Sequence, residues 1–458
     1  MARRPFLAAA GALALVGALA TATPAGAVTD RVSAIPAAEA AGICDDLWSG
    51  VFETPSSEPL AGCQWNMALI GADDDTRSRQ AGAGVRVGII DSGVDLTHPD
   101  VAPNLDLDAS CSFVRADDPA IVAGQADSSE AGGGDCSNKS AVDDKSGHGT
   151  HVASIVASPV NGIGVAGVAP EATVVALKAC TSSGYCFGYA VAAALRAAGD
   201  LHLDVVNLSL FADPYLYYCG NDATQRAQAT AIRDAARYAQ ARGVLIVTSN
   251  GNEADDLQHP TEDHISPDGP DDTVIERAVG NQCRVLPAEL PGAVTVSATG
   301  PIGYPGYTMN IASYSSVGST DVAAPGGDYF SATGTVQDAV LAATPQDGAI
   351  WAGFDPLNAF LPGITVLDHG ASYVYLNGTS MASPHAAGVA ALIVGQHPGW
   401  GPSAVKAALQ RTASALACPL DWEPLDPTDE RLRCYGSGGG RTSFFGHGLV
   451  DADAASRS

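Results

Sequence analysis

The sequence predicts an α/β fold, with a doubly wound, mostly parallel central sheet and helices on both faces. Two observations predict it. Apolar runs of strand length alternate with Ala-rich runs of helical length, and that alternation implies a parallel sheet covered on both sides. Polar residues with chemical potential stand just after several of the apolar runs, which is where sites form in such sheets. With 458 residues and 46% hydrophobic content, the chain easily buries a core.

The elements follow in order. Residues 85–91 form an apolar run of strand length that ends on Asp91. Residues 148–157 fit a short helix opened by His148. Residues 173–179 read as a strand and 189–198 as a helix, and 204–210 form another strand. Residues 222–241 are amphipathic, with Ala and Ile on one face and Arg226, Arg233 and Arg237 on the other. Residues 244–249 and 293–298 are further strands. Residues 386–394 are apolar throughout and read as a buried helix. Three insertions interrupt the pattern: 103–144, acidic and Gly-rich; 254–284, rich in Asp, His and Pro; and 327–375, with Ala, Gly and aromatics. Long stretches without periodicity are often functional, and all three fall between the polar motifs.

Those motifs carry the chemistry. Ser380 lies in Asn377-Gly-Thr-Ser-Met-Ala-Ser-Pro-His385, directly before the buried helix. Serine is a weak nucleophile and needs a base beside it and donors for an oxyanion. His148 lies in Ser146-Gly-His-Gly-Thr-His, Asp91 in Gly88-Ile-Ile-Asp-Ser-Gly, and Asn252 in Ser249-Asn-Gly-Asn-Glu253. The constellation Asp91, His148, Asn252 and Ser380 is what nucleophilic acyl transfer requires.

In type and order these motifs resemble the subtilisin-like serine peptidases, across roughly residues 64–455. The resemblance implies a serine endopeptidase. Ser380 would be the nucleophile, His148 the general base, Asp91 its orienting carboxylate and Asn252 the side-chain oxyanion donor. It implies no cofactor for catalysis and no catalytic metal. Residues 162–167 match G-x-G-x-x-G, but a helix precedes and a strand follows, the reverse of a dinucleotide site. The segment instead resembles the family loop that wraps a structural calcium, with Asn161 and Asp100 at ligand-like positions; Pro159 and Val160 depart from that loop. His151 and His385 read as structural neighbours rather than metal ligands. Phe211 stands where relatives carry glycine at the cleft wall, so its ring is expected to narrow the subsites. Val285 and Leu286 are candidates for the floor of an apolar pocket. Two rival readings are a dedicated precursor-processing peptidase and a peptide-binding pseudoenzyme. The second has no need of Asn252.

Charge and cysteines bound the setting. The net charge of −27 argues against nucleic acid as a partner. Residues 1–27 read as a signal peptide, with Arg3 and Arg4 before an apolar stretch and Ala25-Gly-Ala27 as cleavage site. A secreted, extracellular monomer without a membrane anchor, acting on protein or peptide substrates, is expected. Residues 28–62 are an N-terminal extension or a short propeptide, and 63–458 the catalytic domain. Ten cysteines behind a signal peptide imply disulfides. Cys180 with Cys186 is the first pair expected. Cys111 with Cys136 and Cys418 with Cys434 would each staple one insertion, leaving Cys219 with Cys283 and Cys44 with Cys63.

Overall fold

The computed structural model describes residues 34–419, 432–436 and 440–458. The expected signal peptide lies outside them. The centre is a seven-stranded parallel sheet. Its strands are β1 (Arg86–Ile90), β2 (Cys111–Ser112), β3 (Thr173–Lys178), β4 (Val205–Leu208), β5 (Leu245–Ser249), β6 (Val294–Thr299) and β7 (Val322–Pro325). The spatial order is β7-β6-β5-β4-β1-β3-β2. The chain steps from β1 to one side and then returns to place β4 on the other. The topological switch point therefore lies between β1 and β4, where α/β sheets form sites at the carboxyl ends of the strands.

Alternate side chains of these strands enter two different cores. Val87, Ile89, Val174, Val205 and Val247 pack under α1 (His148–Ala157) and α4 (Thr379–Gln396). Ile90, Val175, Val206, Leu208 and Ile246 pack under α2 (Gly188–Asp200) and α3 (Ala223–Gln240). Both faces are thus covered, as the doubly wound reading requires. Helix α4 is apolar all round because it is buried all round. Each fully buried Leu or Ile there contributes about 1.5–3 kcal/mol.

One expectation is corrected. Residues 327–375 are not an irregular insertion. They supply strands Val340–Ala343, Thr365–Asp368 and Ala371–Leu376 of a separate four-stranded sheet. Its last member is Ile35–Pro36, from the N-terminal extension. The hairpin turns at His369-Gly370, both with positive φ, which matches the right-handed twist of its strands. The expected boundary between residues 62 and 63 falls inside packed structure. Trp48 and Leu60 are buried in the main core, and the Cys44–Cys63 disulfide crosses the boundary. The five disulfides are Cys180–Cys186, the pair expected first, and Cys111–Cys136, Cys418–Cys434, Cys219–Cys283 and Cys44–Cys63, a connectivity that sequence alone leaves open.

Candidate active site

Asp91 follows β1, and His148 opens α1. Two glycines let these segments meet. A Cβ on Gly93 would stand 2.3 Å from the Val142 carbonyl oxygen, and one on Gly149 2.1 Å from the Gly93 carbonyl oxygen and 3.2 Å from Asp91 Cβ. Gly93 also has positive φ, which glycine adopts freely. The result is a 2.8 Å contact between His148 Nδ1 and Asp91 Oδ1. Asp91 is 1% exposed. Its Oδ1 also accepts the Ser92 N–H, and its Oδ2 is buried without a hydrogen-bond partner. Burial works against the His148 cation, but the Asp91 charge and hydrogen bond outweigh it, so the histidine pKa is raised. With Nδ1 on Asp91, Nε2 is the ring nitrogen left for chemistry.

Ser380 stands in the first turn of α4, near the positive end of its dipole. In this resting state its Oγ donates to the Ser209 carbonyl oxygen at 3.3 Å. Ser209 in turn donates from Oγ to the Ser380 carbonyl at 2.8 Å and receives a bond from Asn207. Asn252 follows β5. Its Oδ1 accepts both the N–H and the Oγ1–H of Thr379, each at 2.9 Å. That fixes which way the amide faces and leaves Nδ2 as its free donor beside Gly378. The carboxyl of the adjacent Glu253 is pushed up to about 7 by burial and by Asp255.

Three of the four side chains that the motifs pointed to thereby enter two contacts, Asp91 with His148 and Asn252 with Thr379, the residue before Ser380, while Ser380 Oγ rests on the Ser209 carbonyl. Residues the sequence reading missed hold them there. Asp144 is buried and accepts from Ser92, Ser146, Gly147 and Thr150, so it ties the Asp91 turn to the start of α1. Its only signal was its place just before the histidine motif. Thr379 and Ser209 were visible within motifs, but nothing in the sequence gave their partners.

The model of the subtilase family matches residues 82–448. The chain belongs to the subtilase family. Subtilisin Savinase from Lederbergia lenta is 28% identical over 395 residues, covering 86% of this chain and 98% of its own. Among solved structures, fervidolysin from Fervidobacterium pennivorans, described as a keratinolytic enzyme related to subtilisin, is 25% identical with a TM-score of 0.58. That match covers 90% of this chain but only 47% of fervidolysin. The epidermin leader peptide processing serine protease of Staphylococcus aureus shares the fold at 21% identity and a TM-score of 0.62, covering 89% of this chain and 83% of its own. This subtilase is a serine-type endopeptidase, and its family needs no cofactor for catalysis.

The remaining expectations divide. His151 is buried on the Val374 carbonyl, and burial drives its pKa down to about 3. His385 is bonded to Asn66 and to the Met381 carbonyl, and burial lowers it to about 4. Both are neutral structural histidines. Phe211 is half-buried, packed against the cluster that holds Leu216, Tyr217, Leu257 and Val285. Val285 is 3% exposed and Leu286 0%, so neither is free to line a substrate pocket.

The loop at Gly162 has the wrong polarity for calcium. Its amides point inward: Gly162 N–H to Glu58, Gly164 N–H to Asp368 and Val165 N–H to Asp100. Asn161 Oδ1 is taken by the Ile163 N–H, and Tyr373 donates to Asp100. Calcium asks for about six to eight oxygens. The carboxylate oxygens here without a partner are Glu58 Oε2 and Asp100 Oδ1. Burial pushes Asp100 up to about 8.

Proposed function

We propose that this subtilase is a secreted endopeptidase that hydrolyses peptide bonds through an acyl-enzyme formed on Ser380. Ser380 Oγ leaves the Ser209 carbonyl, passes its proton to His148 Nε2 and attacks the scissile carbonyl carbon. Asp91 holds the imidazole in the required tautomer and stabilises the imidazolium. The oxyanion is received by Asn252 Nδ2 and the Ser380 backbone N–H. His148 then gives the proton to the leaving amine, and water repeats the sequence in reverse. The observation that carries this reading is the Asn252 amide, pinned through Oδ1 by Thr379 next to Ser380. A protein that only bound peptides would have no use for that donor.

The disulfides support an oxidising, extracellular setting. Among the described residues no helix is long and apolar enough to cross a membrane. Substrates are proteins or peptides, and the chain acts as a monomer in this reading.

The pH profile tests the base. His148 must be neutral to accept the serine proton, and its pKa is raised. kcat/KM is therefore expected to climb through a pKa above the ordinary histidine value of about 6.5. Glu253, at about 7, titrates in the same window, so the limb must survive Glu253→Gln to belong to His148. A profile flat from about pH 5 to 9, with chemistry limiting, contradicts the mechanism.

The Gly162 loop gives a second test. We read it as a metal-free clasp joining Glu58, Asp100 and Asp368. A chelator is expected to leave the melting temperature unchanged. A fall that added calcium reverses would overturn this reading.

A further inference from the structure

Lys178, the last residue of β3, is a fully buried cation close behind the catalytic segments. Its Nζ donates to the Ser92 carbonyl at 2.6 Å and to the Asp143 carbonyl at 2.9 Å. One carbonyl belongs to the turn that carries Asp91. The other belongs to the loop that leads into His148. The third partner of Nζ is Glu130 Oε2 at 2.8 Å, a carboxylate 1% exposed. A buried ammonium without a counter-charge is strongly disfavoured, so the two carbonyls are held by a cation that depends on Glu130.

Glu130 comes from the 103–144 insertion, and the structure fastens it there. Its Oε1 accepts from Ser182 Oγ at 2.6 Å, from the Ser182 N–H and from the Asp127 N–H. Its own carbonyl accepts from Ser112. Ser112 pairs in register with Lys178, and Cys111 beside it is bridged to Cys136. The insertion therefore adds the edge strand β2 to the sheet and sends one carboxylate behind the site.

We propose that Glu130 is a positioning residue for the peptidase reaction: through Lys178 it fixes the Asp91 turn and the His148 loop in mutual register for proton transfer. This rests on the acyl-enzyme reading above. It also assigns the acidic insertion a task in turnover, independent of any role at the rim of the substrate groove.

The charged surroundings of His148 define the readout. Asp91 faces it from the end of β1, and Asp144 from the loop before α1; both favour the imidazolium. His151 on α1 and His385 on α4 are neutral, each lowered by burial. Lys145, in the same loop, is engaged by Asp143 and Asp347. Burial raises the Asp144 pKa, and the Lys178 charge opposes that rise. Removing the Glu130 charge takes away the carboxylate paired directly with Lys178 and leaves Asp144 as the acid acting on it; the added net positive charge disfavours the imidazolium.

The test compares wild type with Glu130→Gln and Glu130→Asp, well below their melting temperatures, with competent sites counted by a fluorophosphonate probe. For Glu130→Gln, kcat per competent site is expected to fall about 10- to 100-fold, the scale of a misplacement of about 1 Å. KM should stay nearly constant, and the acid limb should move to lower pH. Glu130→Asp keeps the charge and should return the limb to its wild-type position. A structural role alone would lower the melting temperature and leave kcat, KM and the limb unchanged, and that result overturns the proposal. If Glu130→Gln does not fold, Ser182→Ala loosens the same carboxylate mildly. A smaller shift of kcat and limb in the same directions is then expected, and no shift overturns the proposal. Failure of the wild type to react with the probe would count against the acyl-enzyme reading instead.

Discussion

Ser380→Ala is expected to lower kcat by about 10⁶-fold, the loss that subtilisin itself shows when its serine is removed. Without Oγ no acyl-enzyme forms. The residual rate should stay about 10³–10⁴-fold above water, because the oxyanion donors and the substrate groove remain. Folding should be little affected. Ser380 Oγ makes a single bond of 3.3 Å, to the Ser209 carbonyl, while Thr379 and the buried remainder of α4 hold the helix start. The check is single-turnover and steady-state hydrolysis of a peptide amide alongside a melting curve. Equal activity of variant and wild type would remove Ser380 from the mechanism.

Asn252→Ala is expected to lower kcat by about 10²–10³-fold with KM nearly unchanged. The donor is aimed at charge that develops only in the transition state, and losing such a donor costs about 2.7–4 kcal/mol, a range that includes subtilisin's own case. One complication follows from the geometry. Asn252 Oδ1 also accepts two bonds from Thr379, so the alanine variant frees the residue before the nucleophile. Thr379→Val separates the two effects, since it removes the Oγ1–H bond but keeps the amide donor. Its kcat should fall far less. A loss confined to KM in Asn252→Ala would mean that Asn252 binds the ground-state substrate.

Much of this was legible in the sequence, for local reasons. The strands of the central sheet are buried on both faces, so they appear as short apolar runs and their ends mark the site. The groups at those ends sit in motifs a few residues long, and Asp91, His148, Asn252 and Ser380 could each be picked from their neighbours. What stayed hidden depends on partners far along the chain. Ile35–Pro36 pairs with Thr365–Asp368, so the second sheet has no local signature until both segments are placed together. The Asp-His-Gly turn between two apolar runs at 364–376 was its one readable sign. Glu130 and Lys178 lie in different elements, and no spacing announces a buried ion pair between them. Phe211 was read from its position in a motif, but its packing is on residues far along the chain, among them Leu257 and Val285. The Gly162 loop looked like a cation loop because its glycines resemble the family's calcium loop, with Asn161 and Asp100 at ligand-like positions. Only the direction of its N–H groups shows that the carboxylates are acceptors for the backbone.

The account stands most directly on a covalent adduct at Ser380. Wild-type protein treated with a fluorophosphonate should gain one adduct per chain, and peptide mapping should place it on Ser380. The labelling rate should rise with pH through the same raised histidine pKa that governs hydrolysis, and Ser380→Ala should take up no label. An adduct on another residue, or labelling that persists in Ser380→Ala, would contradict the account.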